Sequence, residues 1–474
     1  MGGFGHVAVA VTVMTVMVAL AGGCGESKKE REARESQERY EAMVRQQMEE
    51  QNRLIAERQG REKEAETLAA VKAAQVPYTG WFTEDQSKKT FKISTTKQLE
   101  GLAQLVNWGE NFAGKTITLT ADINLSAYGK GAEFNDGKGW VPINGFAGTF
   151  DGAGKKISGL YINDNTLDKV GLFGSVNGGT IKNLGVENVN IIGGDWVGGV
   201  AGVLGQDCHI GEDGEESCGV MDANIVNCYS TGTVSGKNIV GGVVGRNSGG
   251  KISDTYSTAA VNGHEYVGGI VGDIWHSGNV SSSYATGNVK GSNNVGGVVG
   301  LLVGGDMNDC GNVSNSYSTG AVSGKEKVGG VVGGVGSECN VSNSYSTGAV
   351  SGTKSVGGVV GWADQHYSRV RNSVALNPSV KSNAAAGRVV GEIASGGIVE
   401  NNAAFAGLKD RGDRTDRWVV KGDATGDGED ITAEEIATDG TLGARFHGKP
   451  WITENGKLPV LRGKPANIPA HLRQ

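Results

Sequence analysis

Residues 312–361 read NVSNSYSTGAVSGKEKVGGVVGGVGSECNVSNSYSTGAVSGTKSVGGVVG. Two phrases alternate in this stretch. One is Asn-Ser-Tyr-Ser-Thr-Gly, at 315–320 and 343–348; the other is Val-Gly-Gly-Val-Val-Gly, at 328–333 and 356–361. Working outward, close copies of the second phrase start at Val197, Val240, Val267 and Val295, with degenerate copies at Val170 and Ala386. The starts lie 27, 43, 27, 28, 33, 28 and 30 residues apart, so the base period is 27–28 and the longer intervals hold insertions. Variants of the first phrase start at Asn227, Asp254 and Ser282. A fixed period in this range marks a stacked-repeat architecture. Propeller blades need about 40–50 residues, and paired glycines would weaken helical repeats. Short strands broken by Gly and Ser therefore predict one solenoid turn per repeat. The expected fold is all-β: a parallel β-helix (β-solenoid), right-handed by the crossover preference, with an N-terminal helical stalk and a small helix-bearing cap.

Strand alternation places Val341, Asn343, Tyr345 and Thr347 on one face and Ser342, Ser344 and Ser346 on the other. The first face is expected inside and the serines in water. The repeat core would then be a valine ladder (Val240, Val267, Val295, Val328, Val356) and a tyrosine ladder (Tyr229, Tyr256, Tyr284, Tyr317, Tyr345). The paired glycines are expected to give positive φ at corners and close approach between coils. Of 80 glycines in 474 residues, 51 fall between 166 and 408, so the excess belongs to the repeat.

Outside the array the chain changes character. Residues 4–21 form an almost entirely apolar run that leads into Gly22-Gly23-Cys24, with no Lys or Arg at its start, only His6. Residues 1–23 are expected to be a lipoprotein signal peptide; an ordinary signal peptide or a retained N-terminal anchor are the alternatives. Residues 24–76 are expected to form a charged stalk or linker. Of the 41 residues from 26 to 66, 22 are charged. Glu30–Arg34, Glu35–Arg39, Glu41–Arg45, Glu49–Arg53 and Glu57–Arg61 have the i,i+4 spacing that supports an isolated helix. Tyr40, Val44, Met48 and Ile55 are sparse, which favours a solvated helix over a coiled coil. Residues 77–165 read as an N-terminal cap with the first coils, including strand-like Trp81-Phe82 and a capping box at Thr95–Gln98 before Leu99, Leu102, Ala103 and Val106. Residues 166–408 are the repeats and 409–474 a C-terminal cap.

The Val-Gly-Gly phrases resemble the GLUG motif. That resemblance extends to "LxxLA…VN" at 99–107, ADINL at 121–125, "WxPI" at 140–143 and "GTFDGxG" at 148–154, and covers about residues 78–462. GLUG repeats occur in bacterial surface proteins and in the non-catalytic part of some immunoglobulin-A-cleaving metallopeptidases. The residues before Cys24 are similar to a bacterial lipobox. The resemblances imply a bacterial envelope protein, lipid-anchored through Cys24, at the outer membrane or cell surface.

Several functions are disfavoured by residue chemistry. A net charge of −7 lacks the basic footprint of nucleic-acid binding. No two of the seven histidines are four apart, so the His-Glu-x-x-His zinc motif is missing. The insertion 206–222 is read as a surface loop closed by a Cys208–Cys218 disulfide. Cys310 and Cys339 precede the same phrase on neighbouring repeats and are expected to pair, leaving Cys228 over. Asp423, Asp427 and Glu434 approximate a calcium loop, against the plainer reading of a polar turn before a helix. No cofactor is expected. Trp275, Trp362 and Tyr367 follow glycine corners, where exposed rings could stack on sugars. The function expected is non-catalytic binding, adhesion or scaffolding toward a surface glycan or protein. The alternatives are a polysaccharide lyase or hydrolase on a β-helix, or a structural spacer.

Overall fold

A computed structural model describes residues 27–73, 77–210, 216–304, 310–364, 367–410, 418 and 420–473. The chain divides into two compact units, Met1–Gln75 and Val76–Gln474.

In the first unit, helix α1 runs from Lys28 to Ala73. Tyr40, Met48 and Ile55 are each more than half exposed, so the described side chains of α1 form no buried apolar stripe. Its ion pairs, among described side chains, include Arg31–Glu35, Arg34–Glu38, Arg53–Glu57 and Arg58–Glu62. They run Arg-to-Glu, opposite to the pairs expected from sequence, and each exposed pair adds only about 0.3–0.5 kcal/mol. No described helix is long and apolar enough to cross a membrane.

The second unit is a parallel β-solenoid of about 11 turns. One sheet stacks eleven short strands from Thr90–Ile93 to Ile398–Glu400. A second sheet takes two short strands from most coils, such as Tyr345–Ser346 and Val350–Ser351. A third holds seven strands that include Lys354–Gly357, and a fourth nine that include Val360–Ala363. Register follows the repeat: Val240, Val267, Val295, Val328 and Val356 align in one column, all fully buried. Fully burying one valine stabilises by roughly 1.5–3 kcal/mol, so the ladder is a main source of cohesion. The 77–165 segment is continuous with this stack. Thr90–Ile93, Thr116–Leu119 and Thr149–Asp151 are its first three rungs.

Helix α2 (Gly80–Thr83) holds Trp81 and Phe82, which were expected in a strand. Both rings pack into a cluster with Phe91 and Phe112, and that packing outweighs their strand propensity. Helix α3 (Thr96–Asn107) begins with the Thr95–Gln98 capping box and buries Leu99, Leu102, Ala103 and Val106. Asn107 ties it to the first coils, donating to Pro142 O and accepting from Asn144 N. At the other end, Glu429–Ile431 adds a last strand beside Ala403–Phe405. Helix α4 (Ala433–Asp439) follows, behind a Thr432–Glu435 capping box.

The interior differs from the alternation expected. Asn343 has φ +49°, and the corner residues Asn227, Asp254, Ser282 and Asn315 match it. That left-handed residue, tolerated best by Asn and Asp, shifts the side-chain phase by one. Val341 points in, and after the corner Ser344 and Ser346 also point in, both fully buried. Tyr345 points out. The serines form an internal hydroxyl ladder: Ser283 N donates to Ser316 Oγ, Ser316 N to Ser344 Oγ, and Ser344 N to Ser373 Oγ. Each of these hydroxyls also donates to a carbonyl two residues back, as Ser344 Oγ does to Ser342 O at 2.8 Å. The corner N–H groups, unable to join the strand ladders, are satisfied this way.

The tyrosine ladder exists on the outer side. Tyr229, Tyr256, Tyr284, Tyr317 and Tyr345 stack with centroids 4.8–5.0 Å apart and planes within 6°. The C-terminal segment folds back over its far end. Trp451 and Phe446 pack on Tyr345, whose hydroxyl donates to Pro459 O at 2.6 Å. Tyr317 and Tyr345 are therefore buried, while Tyr229, Tyr256 and Tyr284 are half-buried.

The paired glycines also behave differently from expectation. None of those in the repeat phrases has positive φ; that conformation falls on the residue before the valine, such as Tyr266, Asn294 and Lys327. The glycines serve close approach alone. A Cβ on Gly330 would run into the carbonyl of Gly358 on the next coil and lie 2.7 Å from Ser346 Cβ. The two repeat phrases thus interlock: the glycine of one leaves room for the serine of the other.

Candidate functional site

Outward positions of the eleven-stranded sheet form two columns, because each three-residue strand buries only its middle residue. In the central coils the first column reads Asn279, Asn312, Asn340 and the second Ser281, Ser314, Ser342. The buried middles are Val280, Val313 and Val341. Lys251 and Ser253 precede these coils in register, and Arg369 and Arg371 follow them. A shallow groove of about 470 Å³ runs over this face from Lys251 to Arg371. Within it Asn312 Nδ2 and backbone N both donate to Asn279 Oδ1, each at 3.1 Å. Asn340 Oδ1 is closed off from solvent and has no hydrogen-bond partner. The outer side of these columns carries Asn amides and Ser hydroxyls at the coil spacing, about 4.8 Å. Sequence reasoning assigned Ser342 of this column to water but missed the asparagine column beside it. The signal was present as Asn-Val-Ser, repeated at 279–281, 312–314 and 340–342.

Charged side chains on a different face are already committed. Arg246 makes a two-pronged ion pair with the buried Asp273, 3.0 Å from Nε to Oδ1 and 2.7 Å from Nη2 to Oδ2. Trp196 and Trp275 flank the guanidinium at 5.6 and 5.2 Å. Burial raises the Asp273 carboxyl, and Arg246 offsets this only in part. Lys327 lies 3.8 Å from the Trp362 ring centre, and burial lowers its ammonium. Of the aromatics expected to be exposed, Trp275 is 38% and Tyr367 64% exposed, and Trp362 is half-buried. They do not form one platform: Trp275 and Trp362 are engaged by different cations.

The remaining candidates fall as follows. Cys24 lies outside the described residues. Cys208 stands directly opposite Cys218 in an antiparallel pair, Gln206–Ile210 against Glu216–Val220. Cys310 and Cys339 form a disulfide between adjacent coils, with Cα atoms 5.0 Å apart. Cys228 is free and buried. It occupies the hydroxyl-ladder column, its N–H donating to Thr255 Oγ1. Burial pushes its thiol up to about 12. Iodoacetamide at pH 8 is expected to leave Cys228 unmodified in the native protein and to alkylate it after unfolding, read by peptide mapping. Native alkylation would contradict its burial.

The calcium-loop pattern does not assemble. Asp427 accepts from the Arg388 backbone N–H, and its carbonyl accepts from Arg388 Nε. Glu434 sits in the first turn of α4, while Asp423 O accepts from Asn402 N. Among the described residues no three His, Cys, Asp or Glu side chains are grouped to hold a metal ion. The segment is a tight turn around Gly428, at φ +67°, shaped to receive Arg388.

No family model matches the chain, so the GLUG resemblance rests on the phrases themselves. Halomucin of Haloquadratum walsbyi is 41% identical over 85 residues, which is 18% of this chain. The chain spans about 1% of the length of that curated relative. Among solved structures, a "putative immunoglobulin A1 protease" from Bacteroides ovatus aligns over 79% of this chain and 92% of its own, at 18% identity and a TM-score of 0.41.

Proposed function

We propose that this chain is a binding or scaffold module of a bacterial envelope, presenting its β-solenoid to an extended ligand without catalysing a reaction. The observation that carries the reading is the Asn/Ser face. Its short polar side chains repeat in register over three successive coils, flush with the sheet and without a deep cleft. Such a surface matches a long ligand at many weak points, whereas catalysis needs a few groups of perturbed acidity converging on one bond. Among the described residues the most deeply buried acid on the outer surface, Asp273, is held by Arg246. Lipid attachment at Cys24 would hold the module at a membrane.

The test is direct. Purified protein is expected to be retained on an array of glycans and matrix proteins, and to release no product from a polysaccharide panel. Turnover of any polysaccharide would favour the lyase or hydrolase alternative. In cells, Cys24→Ser is expected to abolish incorporation of labelled palmitate; continued labelling would remove the anchor from the proposal.

A further inference from the structure

We infer that the ligand of the Asn/Ser face is an acidic polysaccharide, lying along the solenoid axis across the coils between Lys251 and Arg371. The inference rests on the reading of that face as the binding surface. It adds the ligand's chemistry.

Charge is the first argument. The chain as a whole carries −7. Yet from Lys251 to Arg371 the two outward columns hold three cations, Lys251, Arg369 and Arg371, and no carboxylate. Among the described residues none of the three makes an ion pair, in contrast to Lys138, Lys156 and Lys182 near the start of the stack. The bordering acids include Asp254, at the corner beside Ser253, Glu338, two residues before Asn340, and Glu400, which follows Arg371 in register. Asp254 and Glu400 are not paired with the three cations.

The second argument is the chemistry between the cations. Asn and Ser both donate and accept, as sugar hydroxyls do. The strand edges below are already hydrogen-bonded on both sides through the continuous stack, so a peptide strand cannot add to them. The groove lining offers no aromatic ring for a nucleic-acid base to stack on. A polyol with carboxylates or sulfates spaced along it satisfies both the neutral middle and the basic ends. The coil spacing of about 4.8 Å is close to one sugar-ring repeat, so successive rings can meet successive coils.

The test titrates the full chain with alginate oligosaccharide, dextran and poly-glutamate, using wild type, Arg369→Glu/Arg371→Glu, Lys251→Glu and Ser314→Trp. All four positions lie on the outer face, and circular dichroism checks that each variant folds. Alginate is expected to bind. Charge reversal of the arginine pair should weaken it at least about tenfold, as should raising salt to 0.5 M. Ser314→Trp should abolish binding by blocking the floor, and dextran and poly-glutamate should bind at least about tenfold more weakly. Equal binding of dextran, unaffected by charge reversal but blocked by Ser314→Trp, would overturn the acidic ligand and leave the face as a binding surface. Equal binding of poly-glutamate would overturn the polysaccharide in favour of any polyanion. Failure of all three polymers, or alginate binding untouched by Ser314→Trp, would overturn the inference and the use of this face.

Discussion

Gly330→Ala is expected to cost about 4 kcal/mol or more, in the range reached by few single substitutions. The added methyl would meet Gly358 O of the next coil and Ser346 Cβ. Ordinary overpacking costs about 1–3 kcal/mol because side chains can move. Here the obstacle is backbone that also carries the inter-coil hydrogen bonds, Gly330 N to Gly357 O and Gly358 N to Arg388 O. Separating the coils to admit the methyl breaks register on both sides. Urea unfolding followed by circular dichroism should show a lower midpoint or loss of the folded baseline. Ser346→Gly in the same chain should restore little, since Gly358 O remains. Gly60→Ala is the control. A Cβ there meets nothing within 4 Å, so α1 should gain up to about 1 kcal/mol and the solenoid should be unaffected. A wild-type midpoint for Gly330→Ala would mean that the paired glycines are not close-packing residues.

The solenoid was legible because a one-dimensional stack writes its period into the sequence. Spacing of Val240, Val267, Val295, Val328 and Val356 gave the turns, and the structure aligns them as one column. Phase within a turn was harder to read. Assigning Tyr345 inward and Ser344 outward assumed unbroken strand alternation across Asn343. The left-handed φ there reverses it, and Asn at the same place in successive repeats was the available signal. A second difficulty was the Tyr ladder's cover. Trp451 and Pro459 lie more than 100 residues beyond Tyr345 and share no pattern with it, so their packing could be found only in three dimensions.

The candidate face was half legible. Of Ser342, Ser344 and Ser346, all expected in water, only Ser342 lies on the outer face, in register with Ser314 and Ser281. The asparagines two residues before them join the same surface only because the strand is three residues long with one buried centre. Lys251 and Arg371 are 120 residues apart and become ends of one groove through four inter-coil steps. No local motif announces such a site, since its parts come from different repeats.

Arg388→Ala is expected to cost about 3–5 kcal/mol, the range found when a buried charge network loses its central member. Arg388 occupies the third position of the last repeat phrase, where Gly269, Gly297, Gly330 and Gly358 stand in earlier copies. Those glycines are forced by the coil that follows. After the last repeat coil the next backbone is the turn at 422–428, and a large side chain fits. Arg388 is fully buried and donates to Asp427 O at 2.9 Å, Gly428 O at 2.8 Å and the Asp430 carboxylate. Alanine would remove the Arg388 donor from Asp427 O, leave Gly428 O with the Gly422 N–H, and open a cavity beneath the turn. Loss should be local first, because a solenoid coil is held only by its neighbours. Hydrogen exchange at Ala403–Phe405 and Glu429–Ile431 should accelerate before that of Val240 or Val267. Arg369→Ala, on the outer face, should stay within about 0.5 kcal/mol of wild type. Acidity supplies a second readout. Burial alone would raise the Asp430 carboxyl, but hydrogen bonds from Arg388 and Lys421 lower it below 3.8. A carboxylate lowered on folding stabilises fully above its unfolded value and loses that contribution as pH falls through the folded one. The wild type should therefore lose this part of its stability below about pH 4, and Arg388→Ala should lose less of it, since Lys421 alone remains. If exchange at the last coil is unchanged and the acid dependence is the same in both proteins, the final glycine-to-arginine change in the repeat is not what seals the stack.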